Sequence, residues 1–244
     1  MREIRLFSGQ TLSPRTVIEL DRDAGKHASQ VLRLKAGADL TLFNGDGKDY
    51  FGKILESGKS TRVEILAEKE NASESPYKIK LVQGISRSAK MDFTLQKSTE
   101  LGVTEIQAVI CKRSIVNSEQ ARLEKKLRHW QSVIISACEQ SGRSIVPPLA
   151  PVCDLDTFLG NVKPDSTTRI MLDPAAGHAL ASMTPDQPAC ELLIGPEGGF
   201  DPDEVDAAIR AGFVPLSFGP RVLRTETAGL AAIAVLQSRF GDMG

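Results

Sequence analysis

The chain has 244 residues and a mass of 26.4 kDa, enough for one large domain or two modest ones. Hydrophobic residues make up 41% and charged residues 25%, with a mean hydropathy of -0.14, which excludes a disordered or fibrous chain. The net charge of -1 hides a basic middle third, because residues 74–148 carry +5 whereas 1–73 carry +1 and 149–244 carry -7. Such segregation fits either a face that attracts a polyanion or ordinary solvated helix faces.

The first third of the chain is β-like. Between Thr16 and Leu66, four short segments alternate apolar with polar residues, and turn signals at residues 44–47 and 57–58 separate them. This pattern predicts a small barrel or sandwich, which ends in the linker-like stretch NASESP at residues 71–76. We therefore predict two domains, residues 1–72 and 73–244.

After Tyr77, strands alternate with helices, which predicts an α/β domain with a largely parallel sheet. The helix predicted over residues 121–140 carries apolar residues at three- and four-residue spacing, typical of one buried stripe. The stripe comprises Leu123, Leu127, Trp130, Ile134, Ala137 and Cys138.

The segment CELLIGPEGGFDPDEV predicts a buried strand that ends in a glycine-rich turn before a helix. Asp201 suits the N-cap of that helix, Pro202 its first position, and Glu204 the third position of a capping box. Because carboxylates already occupy the helix start, a phosphate-bearing ligand is disfavoured and an uncharged or cationic ligand fits better.

Two further strand ends have a similar character. The strand VPLSFG leads through Gly219 to Ala228 into the last helix, for which Thr225 or Thr227 could provide the cap, and another strand ends at Leu172-Asp173-Pro174. Ligands bind at the carboxyl ends of strands in open α/β sheets, so we expect the three turns to form one pocket.

Other classes of site are excluded or disfavoured by the sequence. Neither a dinucleotide fingerprint nor a complete phosphate-binding loop occurs. The four cysteines form no CxxC pair and are expected to be buried thiols, and no histidine lies within helical or hairpin reach of another histidine or cysteine, so we expect no metal. No apolar run is long enough to span a bilayer and the N-terminus does not resemble a signal peptide, which predicts a cytoplasmic protein without membrane contact.

Four segments carry a family resemblance. GPEGGF followed by LSFGPRVLRTETA resembles the cofactor signature of the SPOUT superfamily of RNA methyltransferases, and KMDFTLQKSTELGV with ISACEQSGRSIVPPL resembles its RsmE family. The resemblance implies a PUA-like N-terminal β-barrel and a C-terminal SPOUT α/β domain with a deep trefoil knot, assembled as a homodimer. It also implies S-adenosylmethionine as cofactor, and N3 of one uridine in 16S ribosomal RNA of the small ribosomal subunit as the target.

Residues are expected in three roles: the resemblance implies the cofactor contacts, whereas the catalytic and RNA contacts follow from charge and position in the sequence. Cofactor contacts are expected from Leu172, Gly195, Pro196, Gly199, Phe218, Gly219, Leu223, Thr225 and Ala228. Arg224 and Arg143 are expected to position the substrate or stabilise an anion, with Glu139 or Glu226 as the base. RNA contacts are expected from Arg33, Lys35, Arg87, Lys90, Lys97 and Arg143.

Several of these assignments have structural alternatives. Glu226 could only complement the helix dipole, Glu139 could pair with Arg143 at four-residue spacing, and Lys97 could be an ordinary solvated charge. At the level of function, the alternatives are a noncatalytic RNA-binding or assembly factor and, less favoured, a nucleotide-dependent enzyme that acts on a small molecule. Uptake of the cofactor separates the methyltransferase from the binder.

Overall fold

A computed structural model of the chain describes residues 4–58, 60–114, 120–184 and 187–244. The chain divides into two compact units, Met1–Glu74 with Ile135–Val146 and Ser75–Ile134 with Pro147–Gly244. The first division falls close to the predicted boundary at 72/73. Residues 135–146, which we had assigned to the second domain, belong to the first unit.

The first unit contains a five-stranded sheet with the order β1-β3-β4-β5-β2. Strand β1 runs parallel to β3, and the other neighbours are antiparallel. Alternation of buried and exposed positions along β4 and β5 places Ile54, Val63 and Ile65 in the core. Its elements are β1 (Arg5–Phe7), β2 (Thr16–Glu19), α1 (Arg22–Lys26), a π-helical turn (His27–Val31), β3 (Asp39–Phe43), β4 (Lys48–Glu56) and β5 (Arg62–Glu70).

The second unit is built on a six-stranded sheet in which every neighbouring pair is parallel. The strands are β6 (Lys78–Gly84), β7 (Glu105–Ile110), β8 (Leu149–Asp154), β9 (Thr168–Leu172), β10 (Ala189–Ile194) and β11 (Val214–Leu216). The helices of the chain after β6 are α2 (Ser88–Glu100), α3 (Gln120–Ser141), α4 (Leu155–Gly160), α5 (Pro202–Arg210) and α6 (Thr225–Phe240), with a 3-10 turn at Leu180–Ser182.

The order of this sheet, β11-β9-β10-β6-β7-β8, determines where ligand-binding turns can lie. Strands β9, β10 and β11 are immediate neighbours and point the same way. Their carboxyl ends therefore lie side by side at one edge, which confirms the predicted convergence of the three turns.

The stripe on α3 is largely confirmed. Trp130, Ile134, Ala137 and Cys138 are buried, whereas Leu123 and Leu127 are only partly buried. The thiols Cys111, Cys138 and Cys190 are also buried, while Cys153 is intermediate. Burial raises the pKa of Cys111 to about 12, so this thiol is a packing group rather than a nucleophile.

None of the helices in the described part of the chain is both long and apolar enough to cross a bilayer.

Candidate active site

The turns after β9, β10 and β11 enclose a cavity of about 440 Å³, a volume within the usual range for small-molecule sites. The lining is mainly apolar, and all of it belongs to the second unit. Every residue predicted to contact the cofactor lines this cavity: Leu172, Gly195, Pro196, Gly199, Phe218, Gly219, Leu223, Thr225 and Ala228. Sequence patterns thus located the cavity wall, although they missed Phe200 and Val222, which also line it.

The turn between β10 and α5 needs its glycines for two different reasons. A Cβ at Gly198 would lie 2.9 Å from the Cβ of Arg113, so this position admits no side chain without a shift. Gly199 has a φ of +68°, a left-handed conformation that favours glycine, and the space beside it is open. The backbone of this turn is therefore accessible to a ligand.

Carboxylates cap α5 as predicted. The Asp201 side chain accepts a hydrogen bond from the Asp203 N–H, and Glu204 accepts one from the Asp201 N–H at 2.8 Å and another from the Lys112 N–H at 2.7 Å. Desolvation alone would raise the pKa of Asp201, but the Asp203 N–H and the cations Lys112 and Arg113 outweigh it and lower that pKa below 3.8. The helix start is thus already neutralised by protein carboxylates and offers little to a phosphate.

The turn before α6 differs from the prediction in its capping. Arg224, not a threonine, occupies the N-cap, and its side chain makes no capping hydrogen bond. Thr225 lies within the helix, and its hydroxyl donates to the Gly195 carbonyl at 2.5 Å instead of accepting from a helix N–H. The Arg224 side chain is exposed and lines the cavity, so a cation stands at its wall.

A charged cluster borders the cavity that the sequence did not group together. The Lys90 ammonium lies 3.5 Å from Glu197 Oε1 and 3.8 Å from Glu226 Oε2. Desolvation would raise the pKa of Glu197, but hydrogen bonds from the N–H groups of Arg87 and of Glu197 itself, together with Lys90, lower it below 4.5. Lys90, predicted as an RNA contact, therefore also fixes the β10–α5 turn through Glu197.

The other two predicted catalytic residues belong to the first unit. Arg143 does not pair with Glu139 but forms a two-point ion pair with Glu74, at 2.7 and 2.8 Å. Glu139 Oε1 accepts a hydrogen bond from the Phe7 N–H at 3.0 Å, and burial raises its pKa above 4.5. The four-residue pairing of Glu139 with Arg143 is therefore wrong.

The predicted RNA contacts differ in availability. Arg33, Lys35 and Arg87 are exposed, whereas Lys97 is partly buried and pairs with Glu100 at 2.8 Å. Arg143 is only 3% exposed, so its assignment as an RNA contact is corrected to a structural ion pair. Among described residues, no cluster of three or more potential metal ligands occurs.

Phe51 is 38% exposed, while Tyr50 is 3% exposed. The two residues are consecutive on β4, so their side chains point to opposite faces of the sheet.

Comparison with known families gives two matches along the chain. Residues 73–237 match the model of an RNA methyltransferase domain, and residues 20–66 match that of an RNA methyltransferase PUA domain. A ribosomal RNA small subunit methyltransferase E from Buchnera aphidicola is 35% identical over 98% of this chain and 97% of the relative. The protein of that name from Mycobacterium bovis is 31% identical over 92% of this chain and 88% of the relative.

Solved structures agree with these matches. A methyltransferase from Legionella pneumophila in complex with S-adenosylmethionine has 41% identity and a TM-score of 0.94, covering 99% of this chain and 100% of the other. The small subunit methyltransferase E from Neisseria gonorrhoeae, also bound to S-adenosylmethionine, has 39% identity and a TM-score of 0.92, with complete coverage of both chains. The architecture is accordingly a PUA-like N-terminal domain with a parallel-sheet α/β domain, and the chain belongs to the ribosomal RNA small subunit methyltransferase E (RsmE) family of the SPOUT superfamily.

Proposed function

We propose that this protein transfers a methyl group from S-adenosylmethionine to N3 of uridine 1498 in 16S ribosomal RNA of the small subunit. The observation that carries the proposal is the convergence of all nine predicted cofactor residues on one cavity. Relatives at 39% and 41% identity that were crystallised with S-adenosylmethionine support the choice of cofactor.

The cavity suits such a cofactor chemically. Leu172, Phe218 and Leu223 offer apolar surface, while the glycine turn at 198–199 offers backbone groups. The capped start of α5 disfavours a phosphate, and S-adenosylmethionine carries none. When bound, this cofactor supplies a methyl group on a sulfonium, the electrophile that the reaction needs.

Residues of the protein must accept the proton of uridine N3, which leaves when the methyl group is attached, and stabilise the resulting charge. Arg224, exposed at the cavity wall, stabilises the negative charge that develops on the uracil ring. Glu226 is our first candidate for the base, because its buried Oε2 accepts no hydrogen bond from any described residue. Glu139 is the second, because its raised pKa suits a base that works closer to neutral pH, and we retain Arg143 as a positioning residue for its segment.

We further propose the deep trefoil knot in the second domain, the homodimer, and cytoplasmic action on the small ribosomal subunit. These follow from membership of the family. The largely small-residue helix α6, with Ala228, Gly229, Ala231, Ala232 and Ala234, suits close packing against another helix or subunit.

The test uses S-adenosylmethionine with a labelled methyl group and small ribosomal subunits that lack the modification. We expect label to enter 16S ribosomal RNA, and reverse transcription to stop at the modified uridine because a methyl group on N3 removes a base-pairing donor. Label at another nucleotide contradicts the proposed target. Tight RNA binding without cofactor uptake or label transfer favours the noncatalytic binder instead.

A further inference from the structure

A glutamine lies in the middle of the sheet and contacts a residue that lines the cavity, at a position where the sequence alone suggests only core. Gln83 is on β6, flanked by β10 and β7, and is fully buried. Its Nε2 donates to the Gly84 carbonyl at 2.9 Å and to the Thr225 hydroxyl at 3.0 Å. A buried glutamine on a central strand thus reaches the first residue of α6.

The direction of every hydrogen bond in this group is fixed by chemistry. The Gly84 carbonyl can only accept, so the group that faces it must be the amide nitrogen of Gln83. The Gly195 carbonyl can also only accept, so the Thr225 hydroxyl donates to it, at 2.5 Å, and must receive its own hydrogen bond from Gln83. The result is a one-way relay from the Gln83 amide through the Thr225 hydroxyl to the Gly195 carbonyl.

The relay joins two of the three turns that line the cavity. Gly195 and Pro196 begin the β10–α5 turn, and Thr225 directly follows Arg224, the N-cap of α6. Strand β6 also touches the first turn closely, since a Cβ at Gly84 would lie 2.7 Å from Pro196. Both turns are therefore held against β6, one by the Gln83 hydrogen bond and the other by close packing on Gly84.

Burying this glutamine is costly for stability. Its Oε1 is buried and has no hydrogen-bond partner among the described residues, and an unmatched buried acceptor destabilises the folded state. An apolar side chain of the same size would fill the space without that cost. The presence of glutamine at position 83 is therefore explained by the hydrogen bonds that its amide donates, and not by a contribution to stability.

We propose that Gln83 is a positioning residue for the cavity, which acts through Thr225 to hold the Gly195 carbonyl and the Arg224 end of α6 at a fixed separation. The inference rests on the proposed function, because the separation matters for a ligand held between the two turns. Loss of the relay leaves the turns free to move apart and weakens binding of S-adenosylmethionine.

The chain supplies a matched control. Gln107, on the neighbouring strand β7, is also buried, and its Nε2 donates to the carbonyl of the next residue, Ala108, at 2.9 Å. Its second acceptor is the Pro151 carbonyl at 2.8 Å, which does not line the cavity. Gln107→Met therefore removes similar hydrogen bonds from the same sheet without touching the two turns.

The experiment measures the affinity for S-adenosylmethionine by calorimetry and the unfolding temperature of the full chain. We expect Gln83→Met and Thr225→Val each to weaken binding about tenfold, the effect of losing roughly one buried hydrogen bond. The double variant should bind no more weakly than either single one, since both break the same relay. Thr225→Ser, which retains the hydroxyl, should bind several-fold more tightly than Thr225→Val.

Gln107→Met should lower the unfolding temperature while its affinity stays within twofold of the wild-type value. The proposed role of the relay would be overturned if Gln83→Met and Gln107→Met lost equal affinity for S-adenosylmethionine. It would also be overturned if Gln83→Met bound this ligand with wild-type affinity. If Gln83→Met does not fold, the comparison of Thr225→Val with Thr225→Ser decides, and equal affinities of these two contradict it. A wild-type chain that takes up no S-adenosylmethionine contradicts the proposed function itself, whereas the other outcomes concern only the relay.

Discussion

At the scale of single residues, the position of a charge decides what it can do. Arg224 and Arg143 are both arginines near helix ends, but Arg224 is exposed at the cavity wall and Arg143 is buried against Glu74. Only the first has a guanidinium available to a substrate in this structure. The second neutralises the partly buried Glu74 carboxylate, and removing it would take this ion pair from that charge.

Replacing Arg224 with alanine should reduce methyl transfer about 100-fold or more, because a positioned cation that stabilises developing charge contributes on this scale. The affinity for S-adenosylmethionine should change only a few-fold, since the side chain stands at the wall and the turns remain. Steady-state transfer kinetics and calorimetry measure the two effects. Arg210→Ala, at the exposed end of α5, is the control, and equal turnover in the two variants would remove Arg224 from the mechanism.

Glu139→Gln should change the pH dependence of stability. Burial raises the folded-state pKa of Glu139 above 4.5, so its contribution to stability is fully present below pH 4.5 and is lost as the pH rises through the folded-state pKa. Glutamine has no such loss and can still accept from the Phe7 N–H. The unfolding temperature of the variant, relative to wild type, should therefore be higher at pH 7 than at pH 4.

If the difference in unfolding temperature between variant and wild type is the same at pH 4 and pH 7, the pKa of Glu139 is not raised in the folded state. Methyl transfer by the same variant tests the second candidate base. Full turnover in Glu139→Gln leaves Glu226 as the candidate.

At the scale of elements, β6 packs closely against the β10–α5 turn, which lines the cavity. A Cβ on Gly84 would lie 2.7 Å from both the nitrogen and the Cδ of Pro196, and these atoms belong to a rigid ring rather than a flexible side chain. Steric contact, and not an unusual φ, explains the glycine.

Gly84→Ala should consequently destabilise the protein by about 1–3 kcal/mol and weaken binding of S-adenosylmethionine, because the turn must move. Thermal unfolding and calorimetry provide the readout. Gly160→Ala is a suitable control, since a Cβ there meets no atom within 4 Å. If Gly84→Ala binds the cofactor as wild type does, the position of this turn does not determine cofactor binding.

Elements with a strong periodic pattern were predictable from the sequence, and short or irregular ones were not. Strands β4 and β10 and helices α3 and α5 follow from alternation, apolar runs, helical spacing and the capping box. Strand β1 has three residues and β8 contains Pro151, so neither offers a clear alternating pattern. Helix α4, with six residues, is too short for its periodicity to be recognised.

The cavity was predictable because glycine and proline mark the turns and parallel strands bring their ends together. What could not be predicted depends on contacts between distant segments. Threonine is a common helix cap, but the Thr225 hydroxyl donates to the Gly195 carbonyl instead. Gln83 lies in an apolar strand, and Thr225, to which its amide donates, is 142 residues away in sequence. Lys90 was predicted to contact RNA from its charge, yet its ammonium group forms ion pairs with Glu197 and Glu226.

At the scale of the whole molecule, the predicted contacts with RNA are made by positively charged side chains. Of the cations assigned to RNA, Arg33, Lys35 and Arg87 are exposed, so they can meet phosphates, and phosphate contacts release counterions. Affinity for small-subunit RNA should then fall steeply with salt concentration.

Arg33→Ala should reduce the slope of log affinity against log salt by about 0.7 to 0.9, the effect of one phosphate contact. Filter binding or fluorescence anisotropy at several salt concentrations measures this slope. Lys163→Ala removes an exposed cation from the acidic last third and should leave the slope unchanged. A salt-independent affinity of the wild-type chain would contradict the electrostatic contribution altogether.

The pairing of β10 with β6 has a consequence for biosynthesis. It joins Ala189 to Lys78, about 110 residues earlier, and all but one of the residues that line the cavity lie between Leu172 and Ala228. A nascent polypeptide can therefore assemble its five-stranded sheet early, but must be synthesised as far as residue 228 before it can capture a methyl donor. Pairings between such remote segments also form slowly, so acquisition of ligand should trail the synthesis of these segments.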